Sequence, residues 1–217
     1  MLTVWGRKTS VNVQKVMWLI GELDLTYERH DVGGAFGGLD TPEYDAMNPH
    51  RKIPTLQDGN LTTWESEAVL RYLGSTYGEQ FFPAAIAERT AADQWMSWVQ
   101  STWSPAMTGV FISLIRVPTA ARDQRLFSAQ VDTLNTTAAF ADNLLATRPY
   151  LAGAKLSLAD IAFASFLYRY YSLEFDRGEP ELPSLKQYYK NLCKRPAFVE
   201  HTHIDYDGLR VPGAERV

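Results

Sequence analysis

Lys52, Ile53 and Pro54, followed after a short interval by Glu65 and Ser66, are the residues whose types and order suggest chemistry first. Proline lacks the N–H that a central strand's ladder needs, so Pro54 must begin a strand and hold Ile53 extended before it. With a cis bond at that step, the backbone groups of Ile53 turn outward and are free to pair with an extended peptide. Lys52 adds a cation beside them. Glu65-Ser66 opens a helix, whose first N–H groups have no partner inside the helix and attract a carboxylate. A backbone edge, a cation and a helix N-terminus make a site for a short peptide with a carboxylate at each end.

The elements that must position these groups follow from the pattern around them. Residues 54–56 read as a short apolar strand, Asp58-Gly59 as a hairpin turn, and 61–64 as the returning strand. Val69, Leu70, Leu73 and Tyr77 then fall on one face of a helix. Upstream, residues 2–5 read as a strand and 12–23 as a helix, with Val13, Val16, Met17 and Ile20 on one face. Residues 26–32 read as a second strand, parallel to the first through a right-handed crossover. The glycine-rich run 33–38 reads as a loop near the site, and Thr41-Pro42-Glu43 as the start of a short helix. The order is βαβ-α-ββα, an α/β domain over 1–78, with 79–87 as a linker.

Residues 88–217 read as an all-helical domain with an irregular C-terminal tail. Trp95, Trp98 and Val99 begin an apolar stripe on a long helix reaching about Ile115, bent at Pro105. Phe127, Val131, Leu134 and Ala138 carry the next helix. Ser157 and Asp160 form a capping-box variant ahead of another apolar run, so Asp160 reads as structural. Leu185, Tyr188, Tyr189 and Leu192 make the last long face.

Composition narrows the classes. With 217 residues, 46% hydrophobic and 21% charged, the chain can bury a sizeable core. A net charge of −4 and no long Lys/Arg cluster argue against nucleic acid. The one cysteine, Cys193, excludes an intrachain disulfide framework and suits a reducing compartment. No apolar run is long enough for a bilayer, and the N-terminus is too soon polar for a signal peptide. The expectation is a cytoplasmic protein. His201 and His203 form an H-x-H pair without a third ligand, so no metal is expected.

The combination of Lys52-Ile53-Pro54 with Glu65-Ser66-Glu67-Ala68-Val69 and Tyr72-Leu73 resembles the glutathione-binding core of cytosolic glutathione S-transferases. The resemblance extends over nearly the whole chain and is to the bacterial serine/asparagine type. It implies a thioredoxin-like first domain, an all-α second domain, glutathione as co-substrate and a homodimer with a detoxifying role. It also implies that the Ile53 backbone pairs with the cysteinyl amide, that Glu65 and Ser66 hold the γ-glutamyl end, and that Lys52 holds the glycine carboxylate.

Such an enzyme must present the thiol as thiolate, because the anion is the nucleophile and a free thiol with pKa of about 8.5 is mostly protonated at neutral pH. In the family the donor that favours the anion is a tyrosine at the first strand's end, or a serine or threonine before the first helix. Trp5 occupies the strand end here, so the resemblance implies Ser10 as the catalytic donor, with Asn12 as a second polar contact. Val11 and Val13 depart from the family's T-P-N-G pattern, which leaves the thiol contact open among Ser10, Asn12 and Thr9. Capping of the helix is the plainer role for Ser10 and Asn12.

The electrophile is expected against the helical domain. Trp103, Met107 and Phe111 share one helix face by their spacing and are the candidate pocket wall, although such stripes are more often core. The expected activity is attack of activated glutathione on small apolar electrophiles. One alternative is glutathione-dependent reduction of disulfides or peroxides without a protein cysteine. Another, of a different class, is a non-catalytic ligand- or partner-binding protein on the same fold.

Overall fold

Alternation of buried and half-buried residues in Leu2–Trp5 makes strand β1, with Leu2 and Val4 facing the core. The computed structural model describes residues 1–178 and 181–216, so residues 179–180 and Val217 of the expected helical domain lie outside the described residues. By contacts the chain forms two compact units. One is Met1–Arg89 together with Arg195–Ile204, the other Thr90–Lys194 together with 205–217.

The first unit holds a four-stranded sheet in the order β2-β1-β3-β4. Helix α1 (Val11–Glu22) crosses from β1 to the parallel strand β2 (Tyr27–His30). Strands β3 (Thr55–Asp58) and β4 (Leu61–Trp64) add an antiparallel hairpin. Between β2 and β3 lies α2 (Pro42–Met47), started by the Thr41 hydroxyl accepting from the Tyr44 N–H at 3.2 Å. Helix α3 (Ser66–Tyr77) follows β4. This is the expected βαβ-α-ββα, thioredoxin-like order. Strand β2 is shorter than the expected 26–32: past His30 the pairing shrinks to Gly6 N–H on the His30 carbonyl and Arg7 N–H on that of Val32. Tyr77 leaves the core face of α3 and donates to Asp58 at the hairpin turn instead.

Helix α10 (Pro196–Thr202), which the sequence pattern does not mark, packs on α1. Trp18 meets Phe198 edge-on at 4.7 Å, both fully buried. The Glu22 carboxylate takes Trp18 Nε1 at 2.8 Å and both nitrogens of the Arg195 fork at 2.7 and 2.5 Å. Gly21 makes the approach possible, since a Cβ there would stand 2.9 Å from the His201 ring.

The second unit is helical. Helix α4 (Ile86–Trp98) runs through a π-turn, Val99–Trp103, into α5 (Ser104–Ile115). The bend expected at Pro105 is taken up by that turn, because proline removes one ladder bond and crowds the carbonyl a turn earlier. Pro105 itself sits in the first turn of α5, where its missing N–H costs little. Then come α6 (Gln124–Leu145), α7 (Leu158–Ala164), α8 (Leu167–Ser172) and α9 (Pro183–Leu192). Asp160, fully buried, accepts from Leu151 N, Ser157 N, Ser157 Oγ and Tyr188 Oη at 2.8–2.9 Å. Burial raises its pKa above the ordinary carboxyl value, against the pull of these donors.

Candidate functional site

The register of the sheet decides where the candidate residues meet. Trp5 at the end of β1 pairs with Thr55 at the start of β3, and Thr55 pairs with Trp64 at the end of β4. The loop after β1, the segment before β3 and the start of α3 therefore leave the sheet at one end. The first carries Ser10 and Asn12, the second Lys52, Ile53 and Pro54, the third Glu65 and Ser66. Gly6 shows how close the first two are. With φ at +154°, a Cβ there would lie 2.4 Å from Val13 Cγ2 and 3.3 Å from Ile53 Cβ.

Ser10 is the extended cap of α1, at φ −85° and ψ 122°, and its carbonyl accepts from Gln14 N at 2.9 Å. The cap role expected for its side chain is absent: the hydroxyl makes no capping bond. Among the described residues, neither the Ser10 hydroxyl nor the Asn12 amide has a hydrogen-bond partner. Both side chains belong to half-buried residues at a helix N-terminus, where unpaired N–H groups and the helix dipole favour an anion.

The Ile53–Pro54 bond is cis. Among the described residues, the N–H and C=O of Ile53 pair with nothing. A buried polar cluster fixes the backbone just before it. Tyr44 Oη and Asn48 Nδ2 donate to the Lys52 carbonyl at 2.7 and 2.8 Å, and both also bond Thr55 Oγ1 at 2.9 and 3.0 Å. The Lys52 ammonium is exposed, with no partner among the described residues. Arg51 is spoken for, its Nε 2.7 Å from Asp45 Oδ1 on the surface.

Glu65 caps α3 at φ 67°, ψ 117°, a left-handed conformation that costs a non-glycine residue on the order of 1 kcal/mol. Its half-exposed carboxylate lies 3.2 Å from His50 Nδ1. Ser66 begins the helix and is almost fully buried, and its hydroxyl donates to Glu67 Oε2 at 2.7 Å. Glu67 in turn pairs with the buried Lys15 of α1.

Sequence reasoning missed the Tyr44–Asn48–Thr55 cluster, the His50–Glu65 contact and the Lys15–Glu67 pair. The last had a signal: Lys15 stands among the apolar positions of α1, where a charge demands a partner. Trp103, Met107 and Phe111 lie buried inside the helical unit. Trp103 packs on Phe163 and Tyr170 at 4.6 and 5.8 Å, and Phe111 on Tyr206 at 5.4 Å with the Arg169 guanidinium 4.3 Å from its ring. Among the described residues no group of three or more His, Cys, Asp and Glu side chains could hold a metal. No described helix is long and apolar enough to cross a membrane.

A mixed sheet with an open backbone edge at Ile53, the exposed Lys52 and two helix N-termini at one end, joined to an all-helical unit, has the architecture of a glutathione-transferase fold. Residues 5–81 match the model of the glutathione S-transferase N-terminal domain, and 102–196 that of the C-terminal domain. Glutathione S-transferase GstB of Escherichia coli (strain K12) is 36% identical over 200 residues, 91% of this chain and 95% of that protein. The crystal structure of the theta class glutathione S-transferase from Xanthomonas axonopodis pv. citri with glutathione bound is 40% identical. It matches with a TM-score of 0.89 over 94% of this chain and 98% of that one. Poplar glutathione transferase F1, 21% identical with a TM-score of 0.82 over 92% of this chain and 95% of its own, shows the shared fold. The chain belongs to the glutathione S-transferase family.

Proposed function

We propose that this enzyme binds glutathione along the Ile53 edge and delivers its thiolate to small apolar electrophiles. Ser10 is the donor that stabilises the thiolate, and Asn12 is a second polar contact on the same helix end. The observation that carries this is the Ser10 hydroxyl, left unspent by the cap at the start of α1, at the same end of the sheet as the Ile53 backbone, which has no partner among the described residues. Lys52 takes the glycine carboxylate. The N–H groups opening α3 take the γ-glutamyl carboxylate, while the Glu65 carboxylate and Ser66 Oγ, whose own proton goes to Glu67, accept from the γ-glutamyl ammonium. Trp103, Met107 and Phe111 form the packed backing of the electrophile pocket, and their shared helix face is what supports that role. The lone Cys193 supports a reducing, cytoplasmic setting.

The test is turnover of glutathione with an aryl halide, a hydroperoxide and a mixed disulfide by the purified protein. Conjugation of the aryl halide is expected, with KM for glutathione raised about tenfold in Glu65→Ala, the size of one lost hydrogen bond to a charged group. Turnover only of the peroxide or disulfide would replace conjugation by reduction. Absence of all three would leave a binding protein.

We further propose a homodimer. Trp95 and Trp98 meet edge-on at 5.7 Å and both lie against Phe140, which is 48% exposed. A half-open aromatic cluster of this kind is apolar surface that a second copy would cover. Light scattering at micromolar concentration should give about twice the chain mass of 24.5 kDa. A stable monomer mass would refute the pairing.

A further inference from the structure

Lys15 and Glu67 make an ion pair inside the first unit that none of the roles above uses. Nζ lies 2.6 Å from Oε1, and the side chains are 0% and 11% exposed. The two residues are 52 positions apart, Lys15 in the middle of α1 and Glu67 in the first turn of α3. Ser10 and Asn12 sit at the start of one helix, Glu65 and Ser66 at the start of the other. As a way to fill buried space, the pair is a poor choice. Two charges taken out of water are repaid only with excellent geometry, and an apolar pair of similar volume is often as stable or more so.

What an apolar pair would not supply is the third member. The second oxygen of Glu67 accepts from Ser66 Oγ at 2.7 Å, so the three groups form a chain Lys15–Glu67–Ser66. Burial acting alone would raise the Glu67 pKa. The Lys15 charge and the hydrogen bonds from Lys15 and Ser66 outweigh it, and the net shift is downward. A depressed carboxyl gives stability that is present above its unfolded pKa and lost only as the pH falls through the folded one. The carboxylate is therefore ionised across the neutral range and can only accept. Ser66 is left with its proton committed to Glu67 and its rotamer fixed.

We propose that the Lys15–Glu67 pair is a positioning device for the glutathione site, holding the Ser66 hydroxyl in one orientation and fixing the start of α3 against α1. It rests on the reading of that site as the place where the γ-glutamyl end binds. Lys15 and Glu67 touch no ligand. They act through Ser66 and the first turn of α3.

A purely structural pair and a positioning pair respond differently when both charges are removed. In Lys15→Met/Glu67→Leu the buried space is refilled without charge, and the melting temperature should stay near or above that of the wild type. Calorimetric titration should nevertheless show the glutathione Kd raised about tenfold, with kcat at saturating glutathione changed much less. Ser66→Ala should weaken binding in the wild type but add little in the double variant, because the hydroxyl is no longer held. A wild-type Kd in the folded double variant would overturn the proposal. Should that variant fail to fold, Lys15→Met/Glu67→Met keeps the volume while leaving Ser66 without its acceptor, and a wild-type Kd there would overturn it equally. A wild-type protein that takes up no glutathione would remove the site reading and the positioning role together. A wild-type protein that binds, beside a double variant that binds as well, removes the positioning role alone.

Discussion

Replacing Ser10 by alanine is expected to lower kcat by about 10²-fold, the usual cost of one preorganised donor at a developing or resident anion. The glutathione Kd should change little, because in the proposed binding mode the peptide is held by the Ile53 edge, Lys52 and the start of α3. The direct measure is the ultraviolet absorbance of bound thiolate as pH is varied. In the wild type the bound thiol should titrate below its free value of about 8.5, and in Ser10→Ala it should move back toward it. The structure sharpens this expectation, since the Ser10 hydroxyl serves no cap and its loss leaves α1 with every bond it had. An unchanged titration would shift the role to Asn12 or Thr9, and a fall in melting temperature would make the serine structural.

The second large effect is on stability. Asp160→Ala strands buried donors on Leu151, Ser157 and Tyr188, together with the Ser157 hydroxyl. Each unsatisfied buried group costs roughly 1–3 kcal/mol, so the sum is about 3–5 kcal/mol after relaxation. For a protein of this size that lowers the melting temperature by roughly 10 °C or more in a calorimetric scan. Ser157→Ala removes only one hydroxyl and should cost about 1 kcal/mol. Equal effects of the two substitutions would contradict the view of Asp160 as a hub and restore it to an ordinary cap.

The sheet and most helices were legible because their apolar periods are strong and their boundaries carry proline, glycine or capping residues. Thr41-Pro42 announces α2, Asp58-Gly59 the hairpin, and Ser157 with Asp160 the start of α7. The π-turn was not legible. Pro105 marks a disturbance, but whether the ladder kinks or widens depends on packing around Trp103, which no local rule reports. Helix α10 was missed for a similar reason. Its seven residues carry little amphipathic pattern, and its place is fixed by Phe198 and Arg195 meeting Trp18 and Glu22 far away in sequence. At the site, the residues with motif spacing were visible. The clusters that hold them were not, since Tyr44, Asn48 and Thr55, or Lys15 and Glu67, find each other only after the sheet and helices have formed.

The return of Arg195–Ile204 to the first unit has a consequence for how the protein is made. On the ribosome the sheet and α1 emerge well before the partner that covers Trp18 and Glu22, which is translated only after residues 90–194. The first unit cannot reach its final packing until Thr90–Lys194, the larger part of the helical unit, has been synthesised in between. For the same reason a gene fragment cut after Arg89 encodes a unit lacking one wall, and splicing this unit onto another helical half would have to carry the 195–204 segment along with it.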